Sequence, residues 1–343
     1  MKIISFFNHK GGVSKTTSVY HLGWMLTNKG KKVLLVDTDS QCNLTLTVIG
    51  QDNYEEFVNA QPHNNIKSGL AAAFESKPEL IKPVECVQVK DNENLFLLPG
   101  SFEITEYEVQ LGVSFQLTHS FTTMKNLPGA FYYLIKSTAE KIGADIVLID
   151  LNPSLSAINQ DLIISSDYFI LPTSPDYFSE MAIRSIARVL PNWEKWAKNA
   201  RDLFQDATYP LPMCTPKFLG YTVNDFTIYD EKPAKAFANV IQKIDTTVKE
   251  LLIPSLENAN MLLPKAIYEE NYRLAEIPNF QTLGAHYQKN GVPVFQITDE
   301  MFKAANITGG AIRDQKIRQN NFKEIFSEFA DRVTELMDYA ESN

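Results

Sequence analysis

The sequence predicts an α/β fold, with a doubly wound, mostly parallel sheet of about seven strands, flanked by helices and carrying helical insertions. Two apolar runs lead to this prediction, because Lys2–Phe7 (KIISFF) and Val33–Asp37 (VLLVD) read as strands covered on both faces. Between them, apolar side chains recur at helical spacing, namely Val19, Leu22 and Leu26. This first segment is therefore a strand, loop, helix and strand unit.

Similar short apolar runs recur along the chain, separated by stretches that mostly read as helical. These runs are Leu95–Leu98, Ile146–Asp150, Tyr168–Leu171, Phe218–Val223 and Met261–Leu263. Together with the first two runs they make up the seven predicted strands. Strands that alternate with helices are typical of a parallel sheet with helices on its faces.

The length of 343 residues, with 44% hydrophobic content, allows a large core, and the motifs predict one domain over residues 1–343. Three segments look like additions to a minimal domain: 51–93, 105–130 and 191–215. In the third, Trp193 and Trp196 either pack against the body or form an exposed docking ridge, and packing is expected.

The C-terminal segment 319–341 predicts a helix that packs against the rest of the chain. Its apolar side chains fall on one helical face: Phe322, Ile325, Phe326, Phe329, Val333, Leu336 and Met337. The polar positions are rich in glutamate and aspartate, whereas a helix on a membrane surface needs lysine and arginine there. A membrane partner is therefore not expected.

The composition limits the classes of function. A net charge of −9 gives no global positive field, so any contact with DNA has to be local. The N-terminal sequence lacks the basic region of a signal peptide, and no apolar run is long enough to span a bilayer, which predicts a cytoplasmic protein. Three isolated cysteines have no spacing typical of a disulfide framework or a zinc site: Cys42, Cys86 and Cys214.

The segment Lys10–Thr17 (KGGVSKTT) lies between the first strand and the first helix. In that position, unpaired backbone N–H groups face an anion, and glycines let the main chain approach it. Lys15 would reach the β- and γ-phosphates, and the Thr16 hydroxyl would coordinate magnesium. The segment therefore predicts a site for ATP and Mg²⁺, against the alternative of a Gly-Gly turn that merely precedes Lys-Thr.

The ordinary phosphate-loop pattern GxxxxGK[ST] is not matched, because His9 and Ser14 stand where its two glycines belong. Lys10 before the glycine pair instead resembles the deviant Walker A ATPases of the ParA/MinD family, whose pattern is KGGxGK[ST]. The resemblance implies a P-loop NTPase fold and a nucleotide held by Lys10, Gly11, Gly12, Val13, Ser14, Lys15, Thr16 and Thr17.

In that family the lysine at the position of Lys10 reaches the nucleotide phosphates of the other subunit. The resemblance therefore implies a homodimer when ATP is bound, with Lys10 and Lys15 both in catalytic roles. Ser14 departs from the usual glycine, so it is strained if the position needs a positive φ.

Two acidic motifs follow strands. The first, DTDSQCN, matches the family's DxDPQxN except that Ser40 replaces proline, which implies that Asp39 positions or activates the attacking water and that Asp37 supports magnesium through water. The second, LIDLNPSL, places Asp150 at a strand end, where a carboxylate can hold a magnesium-bound water. In it, Asn152 replaces a frequent proline.

Later segments also resemble the family. FLGYTVNDF ends a strand at Asn224, near where the family reads its base, so Asn224 is predicted to contact the adenine edge; the alternative is a turn residue at a strand end. MLLP followed by NYRLAEIP resembles the family's IPRNVRLSEAP, which makes Pro264 a candidate wall for the base. Near the C-terminal helix, a basic cluster either contacts DNA phosphates or forms a solvated face: Arg313, Lys316, Arg318 and Lys323.

These features predict a ParA-like ATPase that dimerises on ATP and hydrolyses it slowly, in plasmid or chromosome partitioning, with a stimulating centromere-binding or adaptor partner. Nonspecific DNA would be its matrix, which would associate it with the nucleoid. The alternative is an ATP-dependent dimeric switch that acts on another protein complex without DNA. A third class, reductases that bridge a dimer with an iron–sulfur cluster, is disfavoured by the cysteine spacing, although Cys86 and Cys214 would have to be considered across an interface.

Overall fold

The computed structural model describes residues 1–116, 124–229 and 232–342, so residues 117–123 of the predicted 105–130 insertion lie outside the described part. Its strands are β1 Lys2–Phe6, β2 Val33–Asp37, β3 Val87–Gln88, β4 Leu95–Leu98, β5 Ile146–Asp150, β6 Tyr168–Thr173, β7 Lys217–Asn224, β8 Ile228–Tyr229, β9 Lys232–Pro233 and β10 Arg273–Ile277. The helices are α1 Lys15–Asn28, α2 Asn43–Ile49, α3 Tyr54–Ala60, α4 Ile66–Phe74, α5 Glu108–Gln116, α6 Ala130–Ile142, α7 Ala157–Ile164, α8 Tyr177–Leu203, α9 Lys235–Thr247, α10 Ile253–Asn258, α11 Thr282–Asn290, α12 Asp299–Ala304 and α13 Gly310–Ser342.

One sheet of eight strands organises the fold, in the order β10-β7-β6-β1-β5-β2-β4-β3. Its strands run parallel except β3, which pairs antiparallel with β4. The predicted doubly wound, mostly parallel sheet is therefore confirmed. Because β1 lies between β5 and β6, the chain order reverses beside it, and the crevice at such a reversal is where open α/β sheets bind ligands.

Helix α1 packs across β2, β4 and β5, and its apolar positions explain why. Val19, Leu22 and Leu26 are fully buried, as their helical spacing predicts. Gly23 lets the helix approach the sheet, since a Cβ atom there would meet Leu35 Cδ2 at 2.8 Å. The strand before the phosphate loop and the helix after it are thus fixed to one core.

Two elements correct the predicted strand list. Met261–Leu263 is not a strand, since only Leu262 forms an isolated parallel bridge to Phe218. The edge strand next to β7 is instead β10, whose mixture of charged and apolar residues (RLAEI) hides it from a search for apolar runs. Strand β3, within the predicted 51–93 insertion, was also missed and brings the sheet to eight strands.

The predicted insertions carry helices. Segment 51–93 contains α3 and α4, and residues 191–203 continue α8 through Pro191. Trp193 packs on Phe7 with ring centroids 5.5 Å apart, and Trp196 donates its indole N–H to the Phe115 carbonyl at 3.0 Å. These tryptophans therefore pack against the body.

The C-terminal helix packs as its apolar face predicts, with Phe322, Phe326 and Phe329 buried. The helix begins at Gly310, nine residues before the predicted start at 319. The prediction started too late because residues 310–318 lack the apolar periodicity of the rest of the helix. Across residues 1–116, 124–229 and 232–342, the helices include none that is both long and apolar enough to cross a lipid bilayer.

His21 on α1 joins the phosphate-loop helix to the C-terminal part of the chain. Its Nδ1–H donates to the Thr17 carbonyl at 2.8 Å, and Nε2 accepts the Val294 N–H at 3.1 Å, which fixes a neutral imidazole. Its ring stacks on Phe326 with centroids 4.9 Å apart. Complete burial lowers the pKa of His21 from 6.5 to about 3.

Acid is therefore expected to destabilise the fold through His21. The unfolded chain takes up a proton at this ring below pH 6.5 while the folded chain resists it down to about pH 3, so stability present above pH 6.5 is lost as pH falls towards 3. The loss approaches about 1.4 kcal/mol per pH unit. Urea denaturation at pH 7 and pH 5 measures it: wild type should lose about 2 kcal/mol more than His21→Gln, which cannot titrate. Equal losses in the two proteins would contradict this assignment.

Candidate nucleotide-binding site

The phosphate loop lies at the carboxyl edge of the sheet and is braced from three neighbouring strand ends. After β1, the Asn8 side chain donates to the Pro172 carbonyl at 2.8 Å and accepts the Lys10 N–H at 2.9 Å. After β6, the Ser174 hydroxyl donates to the Gly12 carbonyl at 3.3 Å. At the end of β7, the Asn224 amide donates to the Val13 carbonyl at 2.8 Å. The loop is therefore shaped before any ligand arrives.

Two residues of the loop adopt left-handed backbone conformations. Gly12 has φ 71°, and Ser14, the residue before α1, has φ 57° and ψ 37°. Ser14 thus carries the strain expected of a side chain at a position where the family pattern has glycine. The Ser14 carbonyl accepts bonds from the Ser18 N–H at 3.0 Å and the Ser18 hydroxyl at 2.9 Å, which hold it at the start of α1.

Relieving this strain should stabilise the protein. Ser14→Gly is expected to raise the free energy of unfolding by about 1 kcal/mol, since a left-handed non-glycine residue costs roughly that much. Gly12→Ala is the matched opposite. In the described part of the chain, no atom beyond the two neighbouring residues lies within 4 Å of the added Cβ, so the expected loss of stability comes from the backbone alone. Urea midpoints of both variants measure the pair. No gain in Ser14→Gly would show that the strain is compensated.

Lys15 lies at the base of a cavity of about 560 Å³, a size suited to a small ligand. Its ammonium is buried and donates to the Asn8 carbonyl at 3.0 Å. Burial lowers the pKa of Lys15, while Asp150 and Asp39 oppose that shift. The cavity is lined by Gly11, Gly12, Val13, Ser14, Lys15, Thr16, Thr17 and Asp39, among others. Phosphates entering it would meet a desolvated cation and the N-terminus of α1.

In the described part of the chain, Lys10 is not among the residues that line this cavity. Its ammonium pairs with Asp176 at 2.8 Å. Asp176 also begins α8, where its side chain accepts the Ser179 N–H at 2.8 Å. Lys10 is thus held by its own chain beside, but outside, the phosphate cavity.

Asp37 and Asp150 are register neighbours at the ends of β2 and β5. Asp150 is buried, and within the described residues neither of its carboxylate oxygens has a hydrogen bond of good geometry. Burial and the nearby Asp37 raise the pKa of Asp150 to about 8, and the Thr16 hydroxyl partly offsets the rise. A buried carboxylate whose nearest polar neighbour is the Thr16 hydroxyl is a donor set that fits Mg²⁺, which would be held by Thr16 and, through water, by Asp150.

The Asp37 carboxylate is hydrogen-bonded to the segment that follows β2. One of its oxygens accepts the Thr45 N–H at 2.8 Å and the Thr45 hydroxyl at 2.6 Å, and the other accepts the Asp39 N–H at 3.2 Å. Among the described residues that line the cavity Asp37 is absent, and its support of magnesium through water stays a prediction. Asp37 therefore fixes the loop that presents Asp39.

Asp39 itself lines the phosphate cavity together with Lys15. Its carboxylate accepts the Gln41 N–H at 2.9 Å, which orients it. Burial raises the pKa of Asp39, while the Gln41 bond and Lys15 oppose the rise. An oriented carboxylate at the cavity wall is what ordering a water molecule near a phosphate requires.

A second cavity, of about 340 Å³, adjoins the loop and is lined by Ser14, Asn224, Ile277 and Pro278, among others. The Asn224 amide nitrogen is taken by Val13, but its buried carbonyl oxygen has no partner among the described residues, so it can accept from an amino group. This cavity has room for a base next to the phosphate site.

The structure does not bring Pro264 to this cavity. Pro264 is exposed and follows the Leu262 bridge to Phe218, which lies six residues, or about 20 Å, before Asn224 along β7. Pro278, directly after β10, takes the predicted place beside the base cavity. Pro264 ends the segment MLLP and Pro278 ends the segment NYRLAEIP, and both segments belong to the same family motif. The motif alone does not show which proline lies beside the base, because that depends on the position of β10 between them.

The predicted basic cluster is also divided by the helix geometry. Arg313, Lys316 and Lys323 share one face of α13, at spacings of three and seven residues. Lys316 is engaged with the Ile297 carbonyl and Asp299, both at 3.1 Å. Arg318 lies on another face, where it donates to Gln281 at 2.7 Å beside the base cavity. The four residues therefore do not form one surface.

Sequence reasoning missed four residues that shape the site: Asn8, Ser174, Asp176 and Pro278. Each lies within two residues of the end of a strand or caps the next helix, and a strand end in a parallel sheet is the signal that could have found them. The three cysteines are free thiols, with Cys42 buried in the loop before α2 and Cys86 and Cys214 half-buried.

Comparison with known proteins places this site in a family. A family model described as an AAA domain matches residues 1–202, more than half of the chain. The virulence plasmid ParA family protein pGP5-D of Chlamydia psittaci is 27% identical over 190 residues, or 54% of this chain and 62% of that protein. The sporulation initiation inhibitor protein Soj of Bacillus subtilis is 27% identical over 179 residues, or 52% of this chain and 60% of Soj.

Solved structures share the fold. Protein DIP2308 from Corynebacterium diphtheriae has a TM-score of 0.66 at 20% identity, over 85% of this chain and 97% of that one. The structure of pNOB8 ParA bound to nonspecific DNA has a TM-score of 0.58 at 17% identity, over 98% and 99%. The cell division ATPase MinD of Pyrococcus furiosus has a TM-score of 0.54 at 20% identity, over 98% and 99%.

The aligned segments span between 48% and 62% of the length of the first curated relatives. The family model covers residues 1–202, which contain the phosphate loop and both acidic motifs. The residues, the fold and the matches agree, and the chain belongs to the ParA/MinD family of P-loop ATPases.

Proposed function

We propose that this protein is an ATP-dependent dimerisation switch that partitions plasmid or chromosomal DNA and hydrolyses ATP slowly until a partner protein stimulates it. One observation carries the proposal. The chain places Lys15, Thr16 and Asp39 around its own phosphate cavity but holds Lys10 outside it, paired with Asp176. A second subunit that supplies its Lys10 would complete the set of charges that phosphoryl transfer needs.

Within one chain, the residues divide the work of the reaction. The Lys15 ammonium and the backbone N–H groups of the loop bind and orient the phosphates, and Asp39 orders the attacking water. Magnesium, held by Thr16 and through water by Asp150, would neutralise part of the negative charge of the phosphates. Without the Lys10 of a partner, charge at the γ-phosphate stays incompletely neutralised, so turnover by the isolated chain should be slow.

Exposed apolar residues beside the site support a dimer. Tyr177 is 65% exposed and Phe178 is 70% exposed, and both directly follow Asp176 at the start of α8. Leu155, also exposed, lies two residues after Pro153, which lines the phosphate cavity. Large apolar side chains exposed close to the Lys10–Asp176 pair and to Pro153 indicate an interaction surface. A second copy docked face to face would cover them and bring its Lys10 to this cavity.

Light scattering with ATP and Mg²⁺, with ADP and Mg²⁺, and without nucleotide tests the proposal, with phosphate release measured on the same samples. The expected result is a dimer with ATP alone and slow hydrolysis that rises with protein concentration. A protein that binds and hydrolyses ATP as a monomer at every concentration would contradict it.

DNA is the proposed matrix, as nonspecific DNA is for pNOB8 ParA. Arg313 and Lys323 are exposed on one face of α13, with no ion pair among the described residues, and can therefore reach phosphates. Arg313→Glu/Lys323→Glu should abolish an ATP-dependent mobility shift of DNA, whereas Arg318→Glu, on another face, is the matched control and should keep it. A shift of wild-type strength in the double variant would remove α13 as the DNA contact.

The second candidate function is a dimeric switch that acts on a protein complex without DNA. The net charge of −9 favours it, because a strongly acidic protein has little long-range attraction for DNA. An ATP dimer that gives no DNA shift at low salt would establish this alternative and overturn the partition proposal.

A further inference from the structure

A carboxylate from the predicted 105–130 insertion caps α7, the helix that begins seven residues after Asp150. The Ala157 and Ile158 N–H groups, the first two of α7, donate to different oxygens of Glu108, the Ile158 bond at 3.2 Å. The first N–H groups of a helix have no partner inside the helix, and a negative charge beside them is favourable. Glu108 therefore fixes the place where α7 starts.

The helix that carries Glu108 is anchored to the body on both sides of it. Just before α5, Tyr107 is buried and stacks on Phe74, with ring centroids 4.4 Å apart. Near the end of α5, the Phe115 carbonyl accepts the indole N–H of Trp196 on α8. Glu108 thus holds α7 from a fixed support.

The start of α7 is bonded to the loop 151–156, which connects β5 to α7 at the nucleotide site. Asn159, in the first turn of α7, is fully buried, and its amide nitrogen donates to the Asn152 carbonyl at 2.9 Å and to the Ser154 carbonyl at 2.8 Å. Pro153, between these two carbonyls, lines the phosphate cavity. The place of the first turn of α7 therefore sets the path of this loop.

The other end of α7 is held by the predicted 191–215 insertion. The Arg201 guanidinium donates to the Ile164 carbonyl at 3.1 Å, and a buried ion pair with Glu194 at 2.8 Å holds the guanidinium. A cation at the last carbonyls complements the helix dipole, as the Glu108 anion does at the first N–H groups. A helix of eight residues is not stable alone, so these contacts from two insertions decide where α7 lies.

We propose that Glu108 is a positioning residue for ATP hydrolysis. By fixing the start of α7, it holds the loop 151–156 so that Asp150 and Pro153 keep their places at the magnesium and phosphate side of the site. Glu108 is not among the described residues that line the phosphate cavity, so it acts through Asn159 and the loop. This role rests on the proposed function.

Hydrogen exchange of segment 152–160, measured by mass spectrometry on the full chain without nucleotide, tests whether Glu108 holds the loop. Glu108→Ala removes both bonds to α7, whereas Glu108→Gln keeps an amide oxygen that can accept one of them. The control is Glu106→Ala, which removes a nearby carboxylate that pairs with Lys67 at 2.7 Å. Exchange should be at least about fivefold faster in Glu108→Ala than in wild type, intermediate in Glu108→Gln and unchanged in the control.

Hydrolysis and the dependence on Mg²⁺ test the positioning role. Glu108→Ala should lower kcat about tenfold and raise the Mg²⁺ concentration for half the maximal rate by a similar factor, as loss of a group that orients metal ligands does. Affinity for labelled ATP without Mg²⁺ should not change, because Lys15 and the phosphate loop remain. Glu108→Gln should recover part of the rate.

A double variant tests the route through Asn159. Because both residues act on the same loop, Glu108→Ala/Asn159→Ala should lose no more activity than the weaker of the two single variants retains. Losses that multiply in the double variant would show that Glu108 does not act through Asn159.

Unchanged exchange in Glu108→Ala would overturn the proposal. Faster exchange with wild-type kcat and Mg²⁺ dependence would also overturn it, because Glu108 would then be a helix cap alone. Equal effects in Glu106→Ala would assign them to a lost surface charge and contradict the role of Glu108. Failure of wild type to bind ATP would instead remove the proposed function, and the exchange result would still decide whether Glu108 holds the loop.

Discussion

Replacing Lys10 by alanine is expected to abolish the ATP-dependent dimer while leaving nucleotide binding by each chain largely intact. Lys10 lies outside the cavity of its own chain, so its loss removes little from ATP bound there. In a dimer, the same loss removes the charge that each subunit offers to the phosphates of the other. A cation supplied across an interface in this way contributes about 10³-fold or more to phosphoryl transfer.

Asp176→Asn is the matched comparison for this prediction. Asparagine still accepts the Ser179 N–H and so preserves the start of α8, but it no longer holds Lys10 as an ion pair. A partly exposed pair contributes at most about 1 kcal/mol, and formation of the dimer breaks two such pairs, one in each subunit. Asp176→Asn should therefore dimerise with ATP at a protein concentration up to about thirtyfold lower than wild type.

Light scattering and phosphate release, measured across a range of protein concentration, separate the three proteins. Lys10→Ala should stay monomeric with ATP and hydrolyse it at a rate that does not depend on its concentration. If Lys10→Ala forms the ATP dimer as readily as wild type, the lysine does not act across the interface. If Asp176→Asn dimerises less readily than wild type, the ion pair assists the dimer instead of competing with it.

Asp39→Ala is expected to stop hydrolysis and to accumulate the ATP dimer. Asp39 lies at the wall of the phosphate cavity with its carboxylate oriented by the Gln41 N–H. Within the described residues, its side chain makes no hydrogen bond to the phosphate loop. Removing a group that orders or activates the attacking water should lower the rate about 10²- to 10³-fold. Since the binding groups remain, the dimer should form and persist.

Asp39→Asn distinguishes position from charge. Its amide oxygen can still accept the Gln41 N–H, so the side chain keeps its place while losing its negative charge. Phosphate release in single-turnover conditions, with light scattering on the same samples, measures both variants. Equal loss in Asp39→Asn and Asp39→Ala would assign the effect to charge, and a rate near wild type in Asp39→Asn would assign it to position. A dimer that decays as fast in Asp39→Ala as in wild type would contradict the role of Asp39.

Much of the fold could be predicted from sequence because its central strands are continuous apolar runs. β1, β2 and β5 are buried on both faces, and between their end residues Ser5 is the one polar side chain that interrupts the apolar runs. The two edge strands of the sheet could not be predicted from apolar runs. β10 alternates charged and apolar residues, and β3 has two residues, so neither differs locally from a loop.

The same contrast holds for the candidate site. The loop 10–17 is contiguous, and its glycines and lysines are arranged by local chain geometry that a motif can record. The side chains that brace it come from separate strand ends, and their contact depends on strand order, as with Asn224 and the Val13 carbonyl. For that reason the motif pointed to Pro264, whereas Pro278 is the proline that lines the second cavity.

The sequence by itself determined the parallel α/β sheet, the phosphate loop and the acidic strand ends, because apolar runs and local spacing are properties of neighbouring residues. Only the tertiary structure decided that Lys10 pairs with Asp176 outside the cavity, that Asp37 holds its own loop, and that the basic residues of α13 divide between two faces. Each of these depends on which side chains meet across distant parts of the chain. Lys10 remains the residue on which the proposed dimer depends. Its ion pair with Asp176 is a contact that the motif alone does not predict.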